Sequence, residues 1–109
     1  TLTARFSSVT GLKSGANVEI AGVPVGKVTG IRMDDSYRAV VTLLINKGVA
    51  LSDDSIASVK TSGLIGDKYV SLSSGGSETM LADGDQVTET ESAVDIEALI
   101  SKYVFGGVQ

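Results

Sequence analysis

Cysteine, histidine and tryptophan are all missing from the 109 residues, and proline occurs once. Without Cys or His the chain lacks the usual ligands of zinc and the common nucleophile and base pairs, which removes most hydrolase mechanisms. The lack of cysteine fits an oxidising or a reducing compartment equally and so locates nothing. Aromatic residues are scarce: Phe6, Tyr37, Tyr69, Tyr103 and Phe105 are too few for the ring platforms on which carbohydrate binding usually rests. No stretch has the length and apolarity of a membrane-spanning helix, and the amino end carries no signal-peptide pattern. Basic residues form no cluster and the net charge is −4, so no nucleic-acid partner is expected.

What remains is an aliphatic palette. Apolar residues make up 42% of the chain, and with so few aromatics the core must be built from Val, Ile, Leu and Ala, the first two of which favour strands. The length suits one domain with one modest core. Thirteen glycines and turn signals about every ten residues predict an all-β fold, a small barrel or sandwich. Charge is uneven. Residues 1–74 hold eight basic and six acidic groups, residues 75–109 one basic and seven acidic. The acidic third reads either as a solvated face or as a surface complementary to a basic partner.

Along the chain, Thr1 to Phe6 alternates from its first residue, which suggests that this stretch belongs to a longer protein with an anchor ahead of it. Asn17-Val18-Glu19-Ile20 reads as a strand, and Pro24, which has no N–H to donate to a ladder, marks an edge, a strand start or a bend. Tyr37 to Ile45 is apolar on both faces through Val40-Val41 and Leu43-Leu44-Ile45, so it is expected to have a cover. Leu12-x-x-Gly15-x-x-Val18 and Leu81-x-x-Gly84-x-x-Val87 share one pattern, with Leu51-x-x-Asp54-x-x-Ala57 a looser copy; we read these as one corner geometry used repeatedly.

Two apparent motifs carry no chemistry. Gly22 to Lys27 is one residue short of a phosphate-binding loop, has Val28 in place of Ser or Thr, and runs into a strand pattern where a helix is needed. Asp34-Asp35, Asp53-Asp54 and Asp83-Gly84-Asp85 lack the spaced oxygen ligands of a calcium loop, and turn aspartates usually bond to their own backbone. No metal or cofactor is therefore expected.

The most informative stretch is Thr61-Ser62-Gly63-Leu64-Ile65-Gly66-Asp67-Lys68-Tyr69. Residues 55–61 and 68–73 read as strands, and a loop between strands normally carries Asn, Asp or Ser. Here Gly63 and Gly66 enclose two large aliphatics, Leu64 and Ile65, whose full burial is worth roughly 1.5–3 kcal/mol each. Either they plug their own core or something outside covers them. The carboxyl end then changes period. Ser92 can cap a helix on which Ile96, Leu99, Ile100 and Tyr103 recur every three or four residues, with Gly106-Gly107 as the stop. The expected division is a barrel over 1–91 and a helix with its tail over 92–109.

Taken in order, Gly11-Leu12-x-x-Gly15-x-x-Val18-x-Ile20-x-Gly22-Val23-x-Val25-Gly26-x-Val28-x-x-Ile31, Ser62-Gly63-Leu64-Ile65-Gly66-x-x-Tyr69-Val70-x-Leu72 and Leu81-x-x-Gly84-Asp85 resemble the MCE (mammalian cell entry) domain family across nearly the whole chain. The resemblance implies a seven-stranded barrel in a homohexameric ring, anchored to the inner membrane of a double-membrane bacterium by an amino-terminal helix. It also implies docking on an ABC permease with its ATPase, lipid exchange with a soluble periplasmic carrier, and phospholipid as ligand. In the family the apolar loop lies at the ring axis, which maps onto Leu64 and Ile65 as pore residues, with Gly63 and Gly66 as the loop's glycines. Relatives often carry Leu-Leu there; Leu-Ile keeps volume and polarity. Ile96, Leu99, Ile100 and Tyr103 are then expected to pack the helices or extend the lining.

Two other classes of function stay open on the residues alone. One is a monomeric interaction module that uses the loop as a hydrophobic peg. The other is a carboxylate-dependent enzyme, which needs a pocket holding Asp34, Asp53 or Asp85 beside a neighbour with a shifted pKa.

Overall fold

The computed structural model describes residues 1–62 and 66–92. They form one sheet of eight strands: β1 (Leu2–Phe6), β2 (Asn17–Ile20), β3 (Val23–Met33), β4 (Ala39–Ile45), β5 (Ile56–Thr61), β6 (Lys68–Ser73), β7 (Gln86–Val87) and β8 (Glu89–Glu91). The order across the sheet is β7-β1-β4-β3-β2-β6-β5-β8. β7 and β8 are one segment interrupted at Thr88, and they lie on opposite edges, β7 parallel to β1 and β8 parallel to β5. One stretch of chain thus bridges both edges into a nearly closed barrel, which is how the resemblance's last strand becomes two.

Period-two alternation decides the core. Leu2, Ala4 and Phe6 of β1, Val41 and Leu43 of β4, Val28 of β3 and Val18 of β2 all point inward, joined by Ala57, Val59, Val70, Leu72 and Val87. Val18 pairs with Val70, which pairs with Val59, so branched side chains meet across three strands at one level. Gly26 is also buried, and a side chain there would run into the carbonyl oxygen of Leu44 on β4.

The three repeated patterns build one corner. Ala16 N donates to Lys13 O (3.1 Å), Asp85 N to Ala82 O (3.0 Å) and Ser55 N to Ser52 O (3.1 Å), each closing a turn directly after Leu12, Leu81 or Leu51. Gly15 and Gly84 take the left-handed φ (92° and 89°) that a type II turn requires at its third residue. Leu12, Leu51 and, in part, Leu81 pin these corners to the core.

Pro24 lies beside a bulge: β2 pairs with β3 through Val18↔Gly26 and then Glu19↔Pro24. β2 and β3 are joined by two residues only, Ala21 and Gly22, with φ of 54° and 83°, as in a type I′ hairpin turn. Alanine is a poor occupant of that conformation, which costs an L-residue roughly 1–2 kcal/mol. Ala21→Asn is therefore expected to stabilise the barrel by about 0.5–1 kcal/mol, raising the thermal midpoint by about 2–6 °C. A circular-dichroism melt with no rise would refute this reading of the turn.

The expected cover over β4 is found only in part. Val40, on the outer face between Arg5 and Arg32 in register, is 3% exposed, whereas Leu44 further along that face is 50% exposed.

Candidate functional site

Strand direction sorts the connections into two ends. β1, β3, β5, β7 and β8 run one way and β2, β4 and β6 the other. The upper end therefore gathers segment 7–16, hairpin tip 34–38, connection 62–67 and the exit at Ser92. Turn 21–22, segment 46–55 and segment 74–85 lie at the lower end.

Connection 62–67 has a constructed neck. The last sheet pair below it is Thr61↔Lys68, and above that Ser62 N donates to Asp67 O (3.0 Å). Gly66 lies so close to Ser62 that a Cβ would overlap the Ser62 carbonyl oxygen. Glycine is thus demanded here by the approach of two backbones. Beside the neck, Gly15, Ala16, Asn17 and Glu19 form the far wall of a shallow groove with Ser62, Gly66, Asp67, Lys68 and Tyr69.

Of the residues predicted for the site, Gly66 is placed at this neck. Gly63, Leu64 and Ile65 lie outside the described residues, as do Ile96, Leu99, Ile100 and Tyr103. The strands that frame the loop were legible; the roles of Ser62 and Asp67 were not, since no side-chain pattern announces a backbone hydrogen bond. Ser92, read as a helix cap, has its hydroxyl engaged by Ser7 N (3.0 Å) and Ser8 N (3.3 Å) and close against the Ser7 hydroxyl. Ser92 accordingly lies at the end that carries the neck.

The aspartates act as turn residues. Asp34 Oδ1 accepts from Ser36 N (2.9 Å) and Arg38 N (3.0 Å), and Oδ2 stands 3.5 Å from Arg5 Nε. The Arg38 amide holds its pKa below the usual aspartate value; burial opposes it, and the Ser36 amide and the Arg5 and Arg38 charges add to the lowering. The hairpin so braced presents Tyr37, 80% exposed with φ of 62°, and Met33, 65% exposed. Asp54 is likewise lowered, first by the Ser52 hydroxyl and also by the Ser77 amide; Asp85 accepts from Ala82 N (2.8 Å). Asp53 and Asp83 lie in the same lower-end turns. Among the described residues no group of three or more carboxylates converges as a metal site.

Comparison with known proteins points one way. A family model described as "MlaD protein" matches residues 1–75. Proteins described as "Intermembrane phospholipid transport system binding protein MlaD" from Haemophilus influenzae and Escherichia coli are 39% and 38% identical to this chain. Each alignment covers 97% of this chain, and 66% and 62% of the respective relatives, so the chain spans somewhat under two thirds of their length. A chain of the Acinetobacter MlaFEDB complex in an ATP-bound conformation superposes with a TM-score of 0.86 at 24% identity, over 94% of this chain and 79% of that one. This last likeness speaks for the fold.

Proposed function

The chain belongs to the MlaD family, and from that membership we propose that it is a non-enzymatic, ring-forming subunit of a system that moves phospholipid between the inner and outer membranes. In this reading the barrel sits in the periplasm of a double-membrane bacterium, held to the inner membrane by an amino-terminal helix. Six copies form a homohexamer that docks on an ABC permease and its ATPase and exchanges lipid with a soluble periplasmic carrier. The barrel over 1–91 builds the ring, and the segment over 92–109 adds helices whose Ile96, Leu99, Ile100 and Tyr103 pack together or extend the lining.

The neck of connection 62–67 carries the proposal. The Ser62–Asp67 bond and the glycine seat at position 66 close the chain tightly at the barrel's upper end, and this closure supports reading the residues between them as a short finger. In a closed ring each subunit's finger meets its mates around one axis, and Leu64 and Ile65 from every copy make an apolar collar. Moving one acyl chain of about sixteen carbons through water costs on the order of 0.8 kcal/mol per methylene, above ~10 kcal/mol in all. A collar removes much of that barrier without holding any one lipid tightly, because contacts with methylenes are non-directional and alike along the tail. The relatives' own description, as binding proteins of phospholipid transport systems, supports the same cargo.

The test is direct. Native mass spectrometry of the full chain at micromolar concentration is expected to give a closed oligomer, and its organic extract is expected to contain phospholipid. A monomer with no co-extracted lipid favours the hydrophobic-peg alternative and sinks the ring.

A further inference from the structure

The groove beside the neck has a volume of about 450 Å³, within the range of small-ligand sites. It lies on the outer side of the sheet where β2 and β6 run parallel. Val18 and Val70 pair there and face the core, so Asn17 and Glu19 of β2 and Tyr69 of β6 face outward. A second hollow, lined by Lys13 and Ser14, shares Gly15, Ala16, Asp67 and Lys68 with the first, so the two run together past the neck.

Lysine gathers around this groove. Lys13 lines the second hollow and Lys68 the junction. Lys60 is exposed and pairs in register with Tyr69, and Lys27 is exposed and pairs in register with Asn17. These are four of the six lysines of the sequence. The carboxylates lining the groove are Glu19 and Asp67. The next acid around that face, Glu91, is engaged by the Ser58 hydroxyl at 3.0 Å. Cations are thus in local surplus on a chain whose net charge is −4.

Two details order the site. Lys27 Nζ donates to Asn17 Oδ1 (2.6 Å), which commits the amide oxygen and leaves the amide NH2 as a donor on the groove wall. The stem of Lys68 lies over Gly11, where a Cβ would come within 3.1 Å of Lys68 Cγ and where φ is 84°. Ammonium groups around an amide donor fit an anion, and lysine serves phosphate as a point charge.

Position then narrows the anion. Ser62 and Gly66, which close the neck, also line the groove, so a ligand in it abuts the base of the loop that carries Leu64 and Ile65. In a phospholipid only a glycerol and an ester link separate the phosphate from the tails. Resting on the ring reading above, we infer that this groove holds the phosphate of the phospholipid whose tail enters the collar. Lys13 and Lys60 supply charge from two sides and Asn17 supplies a hydrogen bond. Glu19 and Asp67 weaken the hold on any anion, which suits a site that must also release its cargo.

Calorimetric titration of the full chain tests this with three probes: dihexanoyl-phosphatidylglycerol as monomer, inorganic phosphate, and octyl glucoside, a tailed amphiphile without phosphate. Lys13→Glu with Lys60→Glu is expected to bind the phospholipid at least about tenfold more weakly, with octyl glucoside binding, native mass and melt unchanged. Lys13→Arg with Lys60→Arg should keep the wild-type affinity. Unchanged phospholipid affinity in the glutamate variant, or a wild-type chain that binds octyl glucoside but not the phospholipid, overturns the groove and leaves the collar standing. Inorganic phosphate bound as tightly as the phospholipid makes this a site for free phosphate and overturns the headgroup assignment. A wild-type chain that binds neither amphiphile overturns the collar as well.

Discussion

Replacing Leu64 and Ile65 together by aspartate is expected to cut lipid transfer by about a hundredfold while leaving the barrel folded. The estimate follows from the collar of the proposed ring. Two hydrated carboxylates per subunit would leave some three to four methylenes of a passing chain in water, about 3 kcal/mol at ~0.8 kcal/mol each, or roughly two orders of magnitude in rate. The ring of like charges would also hold the fingers apart. Folding should be spared, because sheet pairing ends at Thr61↔Lys68 and the neck is closed by backbone groups. The measurement is transfer of a fluorescent phospholipid through the assembled system, with a melt and a native mass on the same preparation. Leu64→Val with Ile65→Val should keep most of the rate. Unchanged transfer by the aspartate variant, at normal mass and stability, would remove the pore assignment.

Gly26→Ala is expected to destabilise the barrel by about 3 kcal/mol. The new Cβ would overlap the Leu44 carbonyl oxygen and press on Ile45 Cα at 3.1 Å. These are backbone atoms of the paired strand and cannot rotate away. β3 and β4 would have to part at the point where Gly26 pairs with Ile45, beside the bulge that seats Pro24. Against a typical total stability of about 5–15 kcal/mol for a domain, this is a large fraction. Gly30, four residues along the same strand, is the control. It has open space around its missing Cβ and no left-handed φ, so Gly30→Ala should move stability by no more than about 1 kcal/mol. Chemical denaturation of the two variants decides; equal effects would mean that loss of glycine flexibility, not the contact with β4, sets the outcome.

The positions that sequence reasoning places well have local causes. Strands β2, β5 and β6 fall within a residue of their expected bounds because alternation of Val, Ile and Leu with polar residues leaves one way to bury the apolar set. The Leu-x-x-Gly corners are visible because a type II turn imposes its glycine on the sequence. The family was legible for the same reason, since its ordered motif consists largely of such glycines and of inward-facing aliphatics.

By itself, then, the sequence determined the all-β class, the aliphatic core, the repeated corners and the two strands that frame connection 62–67, because backbone sterics and the strand period act between residues near one another in the chain. Tertiary structure alone decided that residues 86–91 close the barrel by lying on two edges at once, that Gly66 is required by the Ser62 carbonyl, and that Val40 is covered while Leu44 on the same face is half exposed. These depend on pairings between segments tens of residues apart, whose partners are chosen by closure of the whole sheet and leave no periodic mark on either strand.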